Sequence, residues 1–167
     1  MTSRPPQPES GAPSRTTAAA TGDLVVFVLG MRINRLRSPR DWVPVSRAMA
    51  PMIRELLADR ESGLLGSRTR LGPPRVIELI QYWESPEKLL AYASDARRRH
   101  RPAWAAFNRR ARESRGAVGI YHENYLVPAG RYEAVYVDMP PYGLAAATGV
   151  RPVGDRGDTA AARLGLP

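Results

Sequence analysis

The chain has 167 residues, a formal net charge of +9, 43% hydrophobic residues and no cysteine. That is enough for one domain with a real core plus loose ends. The missing cysteine excludes disulfides, thiolate metal sites and a cysteine nucleophile, and no apolar run is long enough for a membrane-spanning helix.

The positive charge is almost all arginine, with Lys88 the only lysine. Such a field can draw in nucleic acid or an acidic carrier protein. Zinc-finger spacing, an RNA-binding signature and a helix-turn-helix pattern are all missing, so nucleic acid is not the expected partner.

Residues 1–22 are rich in Pro, Ser, Thr, Ala and Gly without hydrophobic period, and are expected to be a disordered tail. They hold no compact apolar core of the signal-peptide kind, so a cytoplasmic protein is expected. The folded domain is expected over 23–147. Asp23 to Asn34 reads as a central strand, apolar on both faces. Gly30 within it marks a bulge or a close approach to the backbone. Asp41 stands where an N-cap would, ahead of a helix from Trp42 to Asp59 whose stripe is Val45, Met49, Met52, Ile53, Leu56 and Leu57. Pro51 should kink or split that helix.

A short strand around Leu65 to Arg70 and a stronger one from Arg75 to Glu84 make a hairpin about Gly72-Pro73-Pro74. Ser85-Pro86-Glu87 starts a helix to about Ala96. Pro102 opens another to Arg115, with Trp104, Phe107, Asn108 and Ala111 on one stripe. After Gly116, Ala117 to Val127 is a strand with Val118, Ile120, His122 and Asn124 on one face. Tyr121, Glu123 and Tyr125 lie on the other. Arg131 to Val137 alternates as a fifth strand or arm, Met139 to Ala147 wraps over a pocket or partner, and 148–167 is expected to be a loosely attached tail.

The order β-α-β-β-α-α-β gives an α+β, ferredoxin-like fold: an antiparallel sheet with helices on one face. Strands apolar on both faces imply a second subunit as cover, hence a homodimer.

Both histidines are candidates for chemistry. His122 on the sheet suits a general base, or equally a structural histidine bridging strands. It cannot pair with Glu123 on a regular strand, since neighbours point apart. Asn34 and Asn108 can hydrogen-bond a carbonyl or phenol oxygen. Trp83, Trp104 and Tyr125 fit the walls of a flat-substrate pocket or an ordinary core. Two histidines without an acidic cluster argue against zinc, and no Gly-rich phosphate loop follows a strand.

With these elements in place the chain resembles the dimeric α/β-barrel superfamily of antibiotic-biosynthesis monooxygenases. More narrowly, it is similar to the monooxygenase-like family that includes a polyketide oxygenase of the fumagillin pathway. The carriers are MRIN (Met31 to Asn34), the helix Val45 to Leu57 with ESGLLG, QYW (Gln81 to Trp83), HRPAWAAFNRR (His100 to Arg110), GIYHENY (Gly119 to Tyr125) and YEAVYVDMPPYGLA (Tyr132 to Ala145). The resemblance implies an oxidoreductase acting on an apolar or aromatic small molecule, in secondary metabolism, without metal or flavin. The deprotonated substrate would itself activate dioxygen. It leaves two alternatives: a haem enzyme with His100 as axial ligand, or a non-catalytic dimeric binding protein.

Overall fold

The structure is a computed structural model describing residues 15–72, 75–94, 105, 109, 112, 113 and 116–167, with backbone alone at 48–53 and 60. The chain divides into two compact units. One is residues 21–129, and the other joins the residues up to Ala20 with 130–167. The first strand, β1 (Arg15–Ala18), belongs to the second unit.

The larger unit opens with β2 (Leu24–Ile33), whose valines and aromatic residue favour an extended chain packed on both sides. Helix α1 (Pro39–Ala58) follows. It starts three residues before the expected Trp42, because Pro39 supplies a preset φ at the first helical position. Ser38, not Asp41, is the N-cap. Asp41 instead lies in the first turn, where a carboxylate offsets the positive end of the helix. Helical backbone is continuous across Pro51. A 3-10 turn at Arg60–Ser62 ends on Gly63 at φ 81°, a left-handed conformation that suits glycine.

β3 (Leu64–Gly72) and β4 (Val76–Trp83) form the expected hairpin, with a bulge between Leu64 and Gly66. Helix α2 (Pro86–Ser94) starts as its sequence requires: Ser85 Oγ accepts from the Lys88 amide at 3.2 Å. Ala105, Arg109, Arg112 and Glu113 are helical and exposed. β5 (Val118–Val127) closes the unit.

The four strands of this unit lie in the order β3-β4-β2-β5, all neighbours antiparallel. This is the ferredoxin-like α+β topology, with the first and third strands of the βαββαβ run side by side at the centre. Two core clusters pack on one face. At one end are Met31, Ile33, Val45 and Val118, with Trp42, Ile77 and Ile120 against them. At the other are Val25, Leu56, Trp83 and Leu89, with Phe27, Leu64 and Tyr92. Burying side chains of this size contributes about 1.5–3 kcal/mol each before ordering costs.

The second unit departs from the expected tails. β1, in the stretch expected to be disordered, is the middle strand of a three-stranded sheet between β6 (Tyr136–Val137) and β7 (Val150–Pro152). Within 131–137 only the last two residues are strand. α3 (Leu144–Thr148) precedes β7, and α4 (Ala160–Arg163) follows a 3-10 turn at Val153–Arg156. The 148–167 stretch is anchored rather than loose. Arg163, 7% exposed, donates to Glu133 at 2.7 and 2.9 Å and to the Gly157 carbonyl at 2.9 Å. Arg156 lies over the Tyr132 ring at 5.3 Å.

Candidate active site

The sheet register assigns each side chain of β5 to a face. Leu29 pairs with His122, Phe27 with Asn124, Met31 with Ile120 and Ile33 with Val118. Met31, Ile33 and Val118 pack with Val45 of α1, so these pairs belong to the helix-covered face. His122 and Asn124 therefore share the face that carries the core. Yet both are exposed, while Phe27 and Leu29 are half-buried. Leu29 and His122 lie between the two core clusters along the strands, with Phe27 and Asn124 at the edge of the second. The imidazole is tilted 48° to the Phe27 ring, with centroids 6.1 Å apart. This stretch presents an apolar floor, one aromatic ring, one imidazole and one carboxamide. It can seat a flat apolar ligand with its polar atom toward His122 and Asn124.

The other face carries a second constellation. Tyr121 and Glu78 flank Gly30 on either side of β2. The Tyr121 ring lies across Gly30, so close that any Cβ there would fall inside it, and its hydroxyl donates to Glu78 Oε1. Gly30 thus marks a close approach to the backbone, one of the two readings its position suggested. Burial pushes the Tyr121 phenol up to about 12, helped by its hydrogen bond to Glu78 and by the nearby carboxylate charges, while Arg70 opposes the shift. Next along the strand, Tyr125 donates to Glu123 Oε2 at 2.6 Å, and that bond raises the Tyr125 phenol as well.

Among the described residues, the expected site residues do not converge. Asn34 lies at the end of β2, five residues beyond the partner of His122, about 17 Å along the strand. Its carboxamide is already engaged: Nδ2 donates to the Gly116 carbonyl at 2.9 Å, and Oδ1 accepts from Arg32. It ties the end of β2 to the start of β5. Trp83 is fully buried, bonds Gln81 Oε1 through its indole N–H at 3.0 Å and packs against Tyr92 at 5.6 Å. It is core, not a wall. Tyr125 is 51% exposed, on the face opposite His122. His100, Trp104 and Asn108 lie outside the described residues.

Phe27 and Asn124 join His122 instead. Asn124 was available from period-2 spacing in β5, two residues beyond His122. Phe27 needed the β2–β5 register. Among the described residues no group of three or more histidines and carboxylates is placed to hold a metal ion, and no helix is long and apolar enough to cross a membrane.

Two aldoxime dehydratase structures, one in complex with butyraldoxime, superpose with TM-scores of 0.59 at 15% and 16% identity, covering 91% and 90% of this chain. The chain spans only 42% and 43% of their length. At these identities the likeness shows the fold alone. SnoaB of Streptomyces nogalater, described as a cofactor-independent oxygenase, aligns over 62% of this chain and 91% of its own at 15% identity, with a TM-score of 0.38. A search of curated proteins found no match. A family profile described as monooxygenase af470-like matches residues 24–144, from the first residue of β2 to the first of α3. That span is well over half the sequence and takes in every strand of the four-stranded sheet, so the chain belongs to the monooxygenase af470-like family.

Proposed function

We propose that the protein is an oxygenase-type oxidoreductase acting on an apolar, aromatic small molecule, of the kind made in secondary metabolism. The observation that carries this reading is His122: exposed on the core-bearing face, beside the Phe27 ring and between the two clusters. A hydroxylated aromatic seated over Leu29 and Phe27 would place its acidic hydroxyl toward His122. The imidazole takes the proton, Asn124 hydrogen-bonds the oxygen left behind, and the electron-rich ring carbon adds dioxygen; the resulting hydroperoxide loses water as its O–O bond breaks, leaving a quinone carbonyl, with the substrate supplying all the electrons. The reading needs no metal or flavin. Family membership supports the reaction class. Asn34 and Trp83 take no part in contacting the substrate. Asn108 and Trp104 remain proposed as anchor and wall from the segment before β5, and Tyr125 serves the opposite face.

The protein works as a homodimer in this reading, packed through what β2 leaves half-buried opposite the helix side, Val26 and Val28; Ile80 and Tyr82 beside them on β4 are already buried within the chain.

The test is oxygen uptake with a panel of hydroxylated polycyclic aromatics. Turnover should fall by about 100-fold or more in His122→Ala, with ligand binding kept within a few-fold. Unchanged turnover in that variant would remove His122 from the mechanism. Binding without turnover across the panel would favour a binding protein. A haem site would rest on His100, outside the described residues. The purified protein is expected to be colourless; a band near about 400 nm that disappears in His100→Ala would move the reading to haem.

A further inference from the structure

We infer that the turn between β2 and α1 is a docking surface for an acidic amphipathic helix of a partner protein. Arg35 and Arg37 are exposed on this turn, and Arg40 is exposed in the first turn of α1. Leu36, between the first two, is 44% exposed. Arg32, exposed near the end of β2, and Arg75, whose guanidinium donates to the Asn34 carbonyl at 3.3 Å, adjoin it. Asp41 is the one carboxylate between Arg32 and Asp41. Arg35, Arg37 and Arg40 have no acidic partner among the described residues. Like charges this close repel one another, and an incoming anionic surface relieves that repulsion. The positive end of α1 adds to the same field.

The turn is held in place before any partner arrives. The Arg35 amide donates to the Ala117 carbonyl at 3.2 Å, the Ser38 amide to Arg35 at 3.2 Å and the Asp41 amide to Ser38 at 3.0 Å. The Trp42 indole N–H donates to the Leu36 carbonyl at 3.3 Å. A turn fixed this way loses little freedom on binding.

The chemistry favours an acidic helix over nucleic acid. An amphipathic helix offers an apolar anchor for Leu36 with carboxylates three and four residues away for the arginines. A phosphate backbone would leave Leu36 without a counterpart. Trp42 is half-buried and hydrogen-bonded, so it offers no platform for base stacking. This surface stands apart from the oxygenase reading and survives its failure.

The probe is a fluorescein-labelled helical peptide with a leucine stripe flanked by glutamates, titrated with the full chain by anisotropy. We expect saturable binding that weakens between about 50 and 300 mM salt. Affinity should drop about tenfold or more in Arg35→Glu/Arg37→Glu, and several-fold in Leu36→Ser. Circular dichroism confirms folding of each variant, and Arg131→Glu, an exposed arginine of the other unit, should bind as wild type. Three results overturn the proposal: no saturable binding, equal affinity for a peptide whose leucines are replaced by serine, or an equal loss in Arg131→Glu. Displacement by a DNA oligonucleotide of matched charge, with the same dependence on Arg35, Arg37 and Leu36, would reassign the surface to nucleic acid.

Discussion

Gly30 separates two neighbours that would otherwise not meet. It pairs with Glu78 on one side and Tyr121 on the other, and only a residue without a side chain lets the phenol cross β2. In Gly30→Ala the methyl group takes the space of the ring, so Tyr121 swings away and Glu78 loses its donor. We expect a loss of about 2–4 kcal/mol in denaturant unfolding, from steric strain and an unpaired carboxylate together. The same substitution should change the alkaline limb of stability. The Tyr121 phenol titrates at about 12 in the folded protein, above the ordinary value of about 10 expected when unfolded. Between those values the unfolded chain releases a proton that the folded one keeps, so stability is full below about pH 10 and falls as pH rises toward 12. Unfolding measured across that window should show the fall in wild type and a flatter profile in Gly30→Ala.

At the level of elements, alternation in LVVFVLGMRI and GIYHENY and the Ser-Pro-Glu helix start were enough to read the four-stranded unit. These signals are local: period-2 spacing and capping chemistry act within a few residues. What depends on pairing was not legible. Trp83 reads equally as wall or core until β2 and Leu89 are known to cover it. Tyr121 reaches Glu78 only through the register of three strands. RTTA at Arg15–Ala18 has too little apolar content to announce a strand and is one because β6 and β7 flank it. The final helix was hidden for a related reason: α4 is four residues long, and its main tie is the ion pair of Arg163 with Glu133. Arg163→Ala leaves Glu133 without its cation and should destabilise the second unit by about 1–3 kcal/mol, Glu133 being partly exposed. Hydrogen exchange should quicken across 130–167 while β2, β4 and β5 keep their protection.

For the molecule as a whole, the proposed homodimer predicts a solution mass near twice the 18.4 kDa of the chain by light scattering. A monomer mass at all concentrations tested would remove the dimer while leaving the His122 assignment open to its own test. The charge distribution belongs to this scale too: a net +9 spread evenly would be a solubility feature, whereas arginines gathered around one exposed leucine point to a partner.

The position of β1 also orders events in time. Thr16 is made well before its partners, Tyr136 and Pro152. The whole four-stranded unit is synthesised between them, and its contacts can form first. The three-stranded sheet can form only once β6 and β7 have been made, a slow, long-range closure. Until then β1 is an unpaired strand with nothing to bind, the moment at which a chaperone or a neighbouring nascent chain has its best chance of capturing it.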